Sequence, residues 1–307
     1  MAKERLEQET EDGFSDDEII IRKKKAPEVR EGVTPAVVLK TAAAALEQLR
    51  AKRPLLQCMT NSVTSGFVAN ALLALGGTYA AVEDMSEASQ FTAVADALLV
   101  NVGTVTKPQA DAMRAAVSHA NMGGKPWALA PSGVGPLPLR TFTARELMRR
   151  FPALIRGNAA EISFLVNNEV PPRGAAPSSD DVALAAARLA GVTHAAVVVT
   201  VTGSNDYVAA EGTPLVAVLN GSPMMSRVAG TGCVQGAVAA AFLGALGAKA
   251  RWESAVAASL VVSLAGEFAA AKAAGPGSFV PAFLDALASL TPEDVLKSGK
   301  VKIVPVA

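Results

Sequence analysis

From about residue 33 onward the chain alternates between short, continuous apolar runs and longer segments with helical boundary signals. The short runs, rich in Val, Leu and Ala, cover 55–59, 78–82, 97–102, 127–130, 153–155 and 195–201, and they read as buried strands. Helices are predicted over 35–52, 65–75, 86–95, 108–120 and 180–189. Their ends are marked locally. Thr34-Pro35 supplies an N-cap and a first-turn proline, Pro54 follows the first helix, Gly76-Gly77 stops the second, Ser86 caps the third, and Gly123-Gly124 closes the fourth. Asn158 with Glu161 three residues on has the spacing of a capping box. The segments 206–209 and 215–218 read as a hairpin across Glu211-Gly212, and 170–179 as a Pro/Gly/Ser-rich loop. Helices over 237–247, 252–274 and 279–290 complete the chain, with Gly275-Pro276-Gly277-Ser278 separating the last two. Strand–helix alternation of this kind predicts an α/β fold: a central, mostly parallel sheet with helices on both faces. Ligands in such folds sit at the C-terminal ends of the strands. Chemistry is therefore expected in the loops 60–62, 103–104 and 131–136.

One stretch departs from this regular pattern. Arg227-Val228-Ala229-Gly230-Thr231-Gly232-Cys233-Val234-Gln235-Gly236 is glycine-rich and opens a long helix of small residues. Glycines let a backbone turn tightly and approach a ligand closely. The N–H groups of a helix's first turn then face that ligand, in a field that favours negative charge. Local physics describes an anion hole with a thiol, Cys233, in its rim. A glycine-rich helix start with an inert cysteine explains the stretch about as well. The spacing of Gly230, Gly232 and Gly236 is one residue too long for a dinucleotide fingerprint, and no strand is predicted to lead directly into it.

Composition narrows the function classes. Hydrophobic residues make up 50% of the 307 and charged residues 18%, enough for a large core, while aromatics at 5% leave that core to Ala, Val and Leu. Formal net charge is zero, and no Lys/Arg stripe is interleaved with aromatics, which excludes nucleic acid as an expected partner. The two cysteines, Cys58 and Cys233, have no paired spacing, as expected of a reducing, cytoplasmic compartment. Mean hydropathy is positive, +0.32, yet polar residues break the apolar runs, so no membrane span is predicted. No signal-peptide apolar core stands near Met1. Residues 1–32, with eight acidic residues ahead of Arg22-Lys23-Lys24-Lys25 and little to bury, read as a disordered charged tail. Residues 33–307 show no internal break in composition and read as a single domain.

Several chemistries lack their residues. Neither His119 nor His194 stands in a motif; no Gly-x-Ser-x-Gly elbow, His-Glu-x-x-His, Cys-x-x-Cys or Walker A pattern occurs. A nucleotide site would have to be assembled from separate loops. Its parts are available: the Gly230–Gly232 amides, the Arg156 guanidinium, the Glu161 carboxylate and Thr202 at a strand end. Arg pairs with phosphate oxygens bidentately and a carboxylate can hold Mg²⁺ through water. Phosphoryl transfer, which is chiefly positioning and charge stabilisation, is the reaction these groups suit.

The runs Cys58-Met59-Thr60-Asn61, Asn101-Val102-Gly103-Thr104, Ile155-Arg156-Gly157-Asn158-Ala159-Ala160-Glu161-Ile162, Val201-Thr202-Gly203, Asp206-Tyr207-Val208, Gly230-Thr231-Gly232-Cys233 and Gly275-Pro276-Gly277-Ser278-Phe279 together resemble the hydroxyethylthiazole kinase family. They occur in one collinear order across about 46–290. The resemblance implies a ribokinase-like fold, transfer of the ATP γ-phosphate to the alcohol of 4-methyl-5-(2-hydroxyethyl)thiazole in thiamine salvage, a Mg²⁺ requirement and a homotrimer with sites between subunits. It implies that Gly230, Thr231 and Gly232 hold the transferring phosphoryl group beside Cys233, and that Arg156 and Thr202 contact ATP. It further implies that Glu161, positioned by Asn158, holds the metal, and that Asn61, Gly230 and residue 81 face the thiazole. Two positions depart from the family pattern. Ala130-Pro131-Ser132 replaces the usual Asp-Pro-Val, removing an acidic group near the metal, and Ala81 replaces a pocket Met. These departures keep two other readings open: a nucleotide- and thiazole-binding oligomer with impaired turnover, and a kinase of a related small heterocyclic alcohol.

Overall fold

The computed structural model describes residues 32–168, 179–192 and 198–305. The expected tail, the 170–178 part of the expected loop and His194 lie outside them. Among the described residues, nine strands form one sheet in the order β2-β1-β3-β4-β5-β6-β7-β8-β9. They are β1 (Leu55–Met59), β2 (Thr78–Ala80), β3 (Ala97–Asn101), β4 (Trp127–Ala130), β5 (Leu154–Asn158), β6 (Val198–Thr202), β7 (Asp206–Ala209), β8 (Leu215–Val218) and β9 (Val301–Val304). Strands β1 to β6 pair in parallel, and β7, β8 and β9 add antiparallel ladders at one edge. Eleven helices are described: α1 (Pro35–Lys52), α2 (Ser65–Leu75), α3 (Ala88–Val94), α4 (Lys107–Met122), α5 (Pro138–Met148), α6 (Ala159–Asn167), α7 (Ser179–Val192), α8 (Thr231–Leu246), α9 (Arg251–Lys272), α10 (Pro276–Ser289) and α11 (Pro292–Ser298).

The inner parallel strands are buried on both faces, which is why they read as continuous apolar runs rather than alternating ones. Along β3 the side chains still alternate by pleat. Leu99 enters one core with α1, α2, α8, α9 and α10, while Leu98 and Val100 enter the other with α4, α5, α6 and α7. Each such buried Leu or Val is worth about 1.5–3 kcal/mol. Helix α8 lies close against the sheet because it is built of small residues. A Cβ at Gly244 would lie 3.2 Å from Asp96 Cβ and 3.3 Å from Ala97 Cβ. Phe242 fills the space beside it, fully buried.

Several boundaries differ from expectation for identifiable reasons. Ser86 does not cap α3: its N–H and hydroxyl bind Asp84 Oδ1 in a local turn, and Glu87 takes the N-cap position. Gly275-Pro276-Gly277-Ser278 does not separate two helices but begins α10, with Pro276 in the first turn where its missing N–H costs nothing. Strand β2 ends at Ala80, leaving Ala81 exposed just beyond it, and β5 runs on to Asn158, so Arg156 is a strand residue. Helices α5 and α11 and strand β9 were not predicted. Helix α5 buries only Thr143, Ala144 and Leu147, too few to make a clear stripe. Helix α9 is long and apolar enough to cross a bilayer by length and composition alone, but most of it is buried inside the fold, where it serves as a core helix.

Candidate active site

The parallel register brings the strand ends to one level. Cys58 pairs with Leu99 and Met59 with Val100, so the chain leaves β1 and β3 side by side, placing Asn61 next to Asn101. Both carboxamides are buried and point at the same atom. Asn61 Nδ2 donates to Cys233 Sγ at 3.0 Å and Asn101 Nδ2 at 3.4 Å. Their orientation is set by their oxygens. Asn61 Oδ1 accepts from the Thr64 N–H (3.1 Å) and hydroxyl (2.9 Å), and Asn101 Oδ1 from the Gly103 N–H (2.8 Å). Cys233 is thus an acceptor held between two fixed donors. The other cysteine, Cys58, is fully buried; burial, with Glu83 nearby, pushes its thiol well above the usual range.

Gly230 is the N-cap of α8 at φ +100°, in the left-handed region, and has no side chain to offer the first turn. The Val234 N–H donates to the Gly230 carbonyl at 2.8 Å. The N–H groups of Thr231, Gly232 and Cys233 precede that first helical bond, and among the described residues they have no acceptor. The Thr231 hydroxyl is committed to the Met225 carbonyl at 2.9 Å. A 3-10 turn over Pro223–Arg227, not a strand, leads into this loop, in line with the absence of a predicted strand before it.

Arg156 crosses this first turn. A Cβ at Gly232 would lie 2.8 Å from Arg156 Nη2 and 2.9 Å from Nη1, so only glycine admits the guanidinium there. Nη2 donates to Thr202 Oγ1 at 2.8 Å, and the Thr202 hydroxyl reaches the Gly157 carbonyl at 3.3 Å. Arg156 also donates to Gln235 Oε1, from Nε at 3.3 Å and Nη2 at 3.2 Å. Gln235 Nε2 in turn donates to Asp206 Oδ2. Burial raises the Asp206 carboxyl to about 6, against the opposing pull of Gln235 and Arg156.

Two residues further along, Asn158 and Glu161 form the expected capping box: Glu161 N–H to Asn158 Oδ1 at 2.9 Å, and Asn158 N–H to Glu161 Oε2 at 2.8 Å. The second carboxylate oxygen accepts from the Gly133 N–H at 2.9 Å, tying the loop after β4 to α6. A cleft of about 230 Å³ opens here, lined by Gly133, Val134, Pro136, Asn158, Glu161 and Phe164. Ala130, at the end of β4, is buried beneath α8; a Cβ at Gly236 would lie 3.8 Å from Ala130 Cβ and 3.9 Å from Arg156 Cδ.

The structure therefore brings Asn61, Arg156, Thr202 and the Gly230–Cys233 turn together. It places Asn158 and Glu161 at the adjoining strand end, and Ala81 apart at the exposed sheet edge. Asn101, Gln235 and Asp206 were present in the motifs but carried no role on sequence grounds. Their partners lie 132, 79 and 29 residues away, a distance no local pattern reports.

A mostly parallel sheet with a cation, free helix-start amides and a carboxylate at its C-terminal edge defines a kinase of the ribokinase-like class. Pyridoxal kinase from Staphylococcus aureus shares the fold, with a TM-score of 0.53 over 70% of this chain and 87% of its own at 14% identity. A hydroxyethylthiazole kinase structure from Pyrococcus horikoshii is much nearer: TM-score 0.79 and 31% identity, over 87% of this chain and all of that one. Hydroxyethylthiazole kinase from Klebsiella pneumoniae is 49% identical over 239 residues, 78% of this chain and 91% of the relative. The family model for hydroxyethylthiazole kinases matches residues 46–293. The chain belongs to the hydroxyethylthiazole kinase family.

Proposed function

We propose that the protein transfers the γ-phosphate of ATP to the primary alcohol of 4-methyl-5-(2-hydroxyethyl)thiazole, in cytoplasmic thiamine salvage. The observation that carries this reading is the set of unengaged amides of Thr231, Gly232 and Cys233 beneath the Arg156 guanidinium. Amides fixed in advance toward developing charge stabilise a phosphoryl group in transfer without reorganising. Arg156 Nη1, which has no partner among the described residues, faces the phosphates, while Thr202 holds Nη2 and contributes a second ATP contact. Asn61 and Gly230 face the thiazole; Ala81, apart at the sheet edge, would reach it only across the proposed subunit interface. Cys233 Sγ accepts the hydrogen bond of the alcohol, orienting its oxygen for attack.

Among the described residues, no group of three or more His, Cys, Asp or Glu side chains could cage a metal. The donor set suits Mg²⁺, which keeps several waters and needs only one or two carboxylates beside substrate phosphates. Each Glu161 oxygen accepts one backbone N–H, which leaves each a further lone pair. Glu161, positioned by Asn158, would hold Mg²⁺ through its water shell, and the bound ion would neutralise phosphate charge.

Residues 33–307 act as one kinase domain in this reading. The assembly proposed with it is a homotrimer whose sites are completed between subunits; Val63, Leu73, Met85 and Val94, in the segment around edge strand β2, are exposed apolar residues that such a contact could cover. Both cysteines are free thiols, which suits a reducing compartment. Incubation with ATP, Mg²⁺ and the thiazole alcohol tests the activity. Absence of phosphorylated thiazole across a wide metal range would remove the reading.

Ala130 favours a second reading, a nucleotide- and thiazole-binding oligomer with impaired turnover, because no carboxylate stands there beside Arg156. That reading predicts ligand-dependent thermal stabilisation with little turnover, and a gain of activity in Ala130→Asp. Brisk turnover by the unaltered protein would exclude it. A kinase of another small heterocyclic alcohol is tested by the same assay with alternative alcohols; the thiazole proving best would exclude that.

A further inference from the structure

We propose that Asp206 is a positioning residue for ATP, acting through Gln235 to fix the Arg156 guanidinium over the first turn of α8. The inference rests on the reading of Arg156 as a phosphate contact. It starts from the donors around the carboxylate. Asp206 Oδ2 accepts from Gln235 Nε2 and from the Ser263 hydroxyl (3.4 Å), and Oδ1 accepts from the Gly203 N–H (3.4 Å). Every group facing Asp206 in these bonds is a donor, which suits an ionised carboxylate, an acceptor at both oxygens.

The consequence falls on Gln235. A carboxamide has a donor end and an acceptor end, and Asp206 takes the donor end. Oε1 is thereby turned to Arg156 and receives both Nε (3.3 Å) and Nη2 (3.2 Å). With Thr202 taking Nη2 from the other side at 2.8 Å, the guanidinium has one orientation, and Nη1 is left toward the open first turn. No salt bridge holds Arg156 directly among the described residues; Asp206 acts on it through one amide.

A purely structural account of Asp206 leaves its charge unexplained. The carboxylate is buried at the start of β7, and burial disfavours its ionised form. A well-packed apolar residue at such a place is often at least as stabilising as a buried charge. An acceptor at both oxygens is what Gln235 needs to keep its amide from turning round.

Steady-state kinetics with ATP varied at saturating thiazole alcohol and Mg²⁺ tests this, on the intact chain, beside Arg156→Ala. Asp206→Asn replaces one acceptor oxygen by an N–H₂ in a ring of donors, so position 206 no longer fixes which end of the Gln235 amide faces Arg156. Gln235→Met removes the link outright and decides the question if Asp206→Asn fails to fold. Each is expected to raise the KM for ATP about tenfold or more and to leave the KM for the alcohol within about twofold. The exchange Asp206→Asn with Gln235→Glu restores the chain of bonds with reversed polarity. The carboxamide introduced at position 206 then donates to one oxygen of the carboxylate introduced at position 235, whose other oxygen faces Arg156, and the ATP KM should return toward the original value. If Arg156→Ala raises the ATP KM but neither Asp206→Asn nor Gln235→Met does, the inference is overturned while the ATP reading stands. If Arg156→Ala also leaves it unchanged, the ATP reading of Arg156 fails and the inference falls with it. A lowered melting temperature with unchanged ATP KM would mark Asp206 as structural only.

Discussion

Replacing Gly230 by alanine perturbs the site at its tightest point. Gly230 holds φ +100°, and an L-residue in the left-handed region costs about 1–2 kcal/mol. The added Cβ would also lie 2.8 Å from Thr64 Cγ2, 3.0 Å from Thr64 Cβ and 3.1 Å from Phe67 Cδ1. Overpacking of that kind costs a further ~1–3 kcal/mol. Thr64 cannot easily yield, because its N–H and hydroxyl both bind Asn61 Oδ1, and Phe67 is backed by Phe283 at 5.9 Å between ring centroids. The strain therefore moves the start of α8 itself. Loss of roughly 2–5 kcal/mol in urea unfolding is expected, with a fall in kcat of about 10²–10³, the usual effect of misplacing one preorganised donor. Gly212→Ala is the matched control. Its φ is +73° and nothing lies within 4 Å of the new Cβ, so it should cost only the ~1–2 kcal/mol backbone term and leave kcat alone. Gly230→Ala with the stability and kcat of the unaltered protein would refute the reasoning, as would equal kinetic losses in both variants.

Three further outcomes are expected. Gly232→Ala should raise the ATP KM and cost some stability, since its Cβ meets the Arg156 guanidinium, which can yield only by giving up its bonds to Thr202 and Gln235; a calorimetric melt beside ATP kinetics measures both. Asn61→Ala should raise the KM for the thiazole alcohol and lower stability by about 1–3 kcal/mol, because it strips the acceptor from the buried Thr64 hydroxyl, while the Thr64 N–H keeps the Asn61 carbonyl at 3.3 Å; unchanged values of both would contradict the assigned role. Asp206 titrates at about 6 in the folded state against 3.8 for the ordinary carboxyl, so the native state binds more protons between these values. Its contribution to stability is full below about pH 4 and lost as pH rises through 6, on the order of 3 kcal/mol in all. The difference in unfolding free energy between the unaltered protein and Asp206→Asn, followed from pH 4 to 7, should show that slope.

Features set by near neighbours in the chain were legible from the sequence. Thr34 accepts the Val37 N–H as a cap should, the Asn158–Glu161 box closes both ways, and Gly76 ends α2 in the left-handed region. The bounds of α1, β1, α2, β4, β7 and β8 follow from such signals, since each is decided within a few residues. Strand β9 is four residues long and becomes a strand only by pairing with β8, some eighty residues earlier. Helix α5 has too narrow a buried face to announce itself.

The same division holds at the site. Sequence alone determined that a glycine-rich turn opens a helix of small residues and carries a cysteine, and that Arg156, Thr202 and Glu161 stand at the ends of core segments. Only the tertiary structure decided that Arg156 lies on Gly232, that two asparagines from separate strands meet at Cys233, and that Asp206 reaches Arg156 through Gln235. Local propensity acts through neighbouring backbone groups. These contacts depend instead on the register of parallel strands and the height at which α8 settles on the sheet, which are set by packing across the whole core.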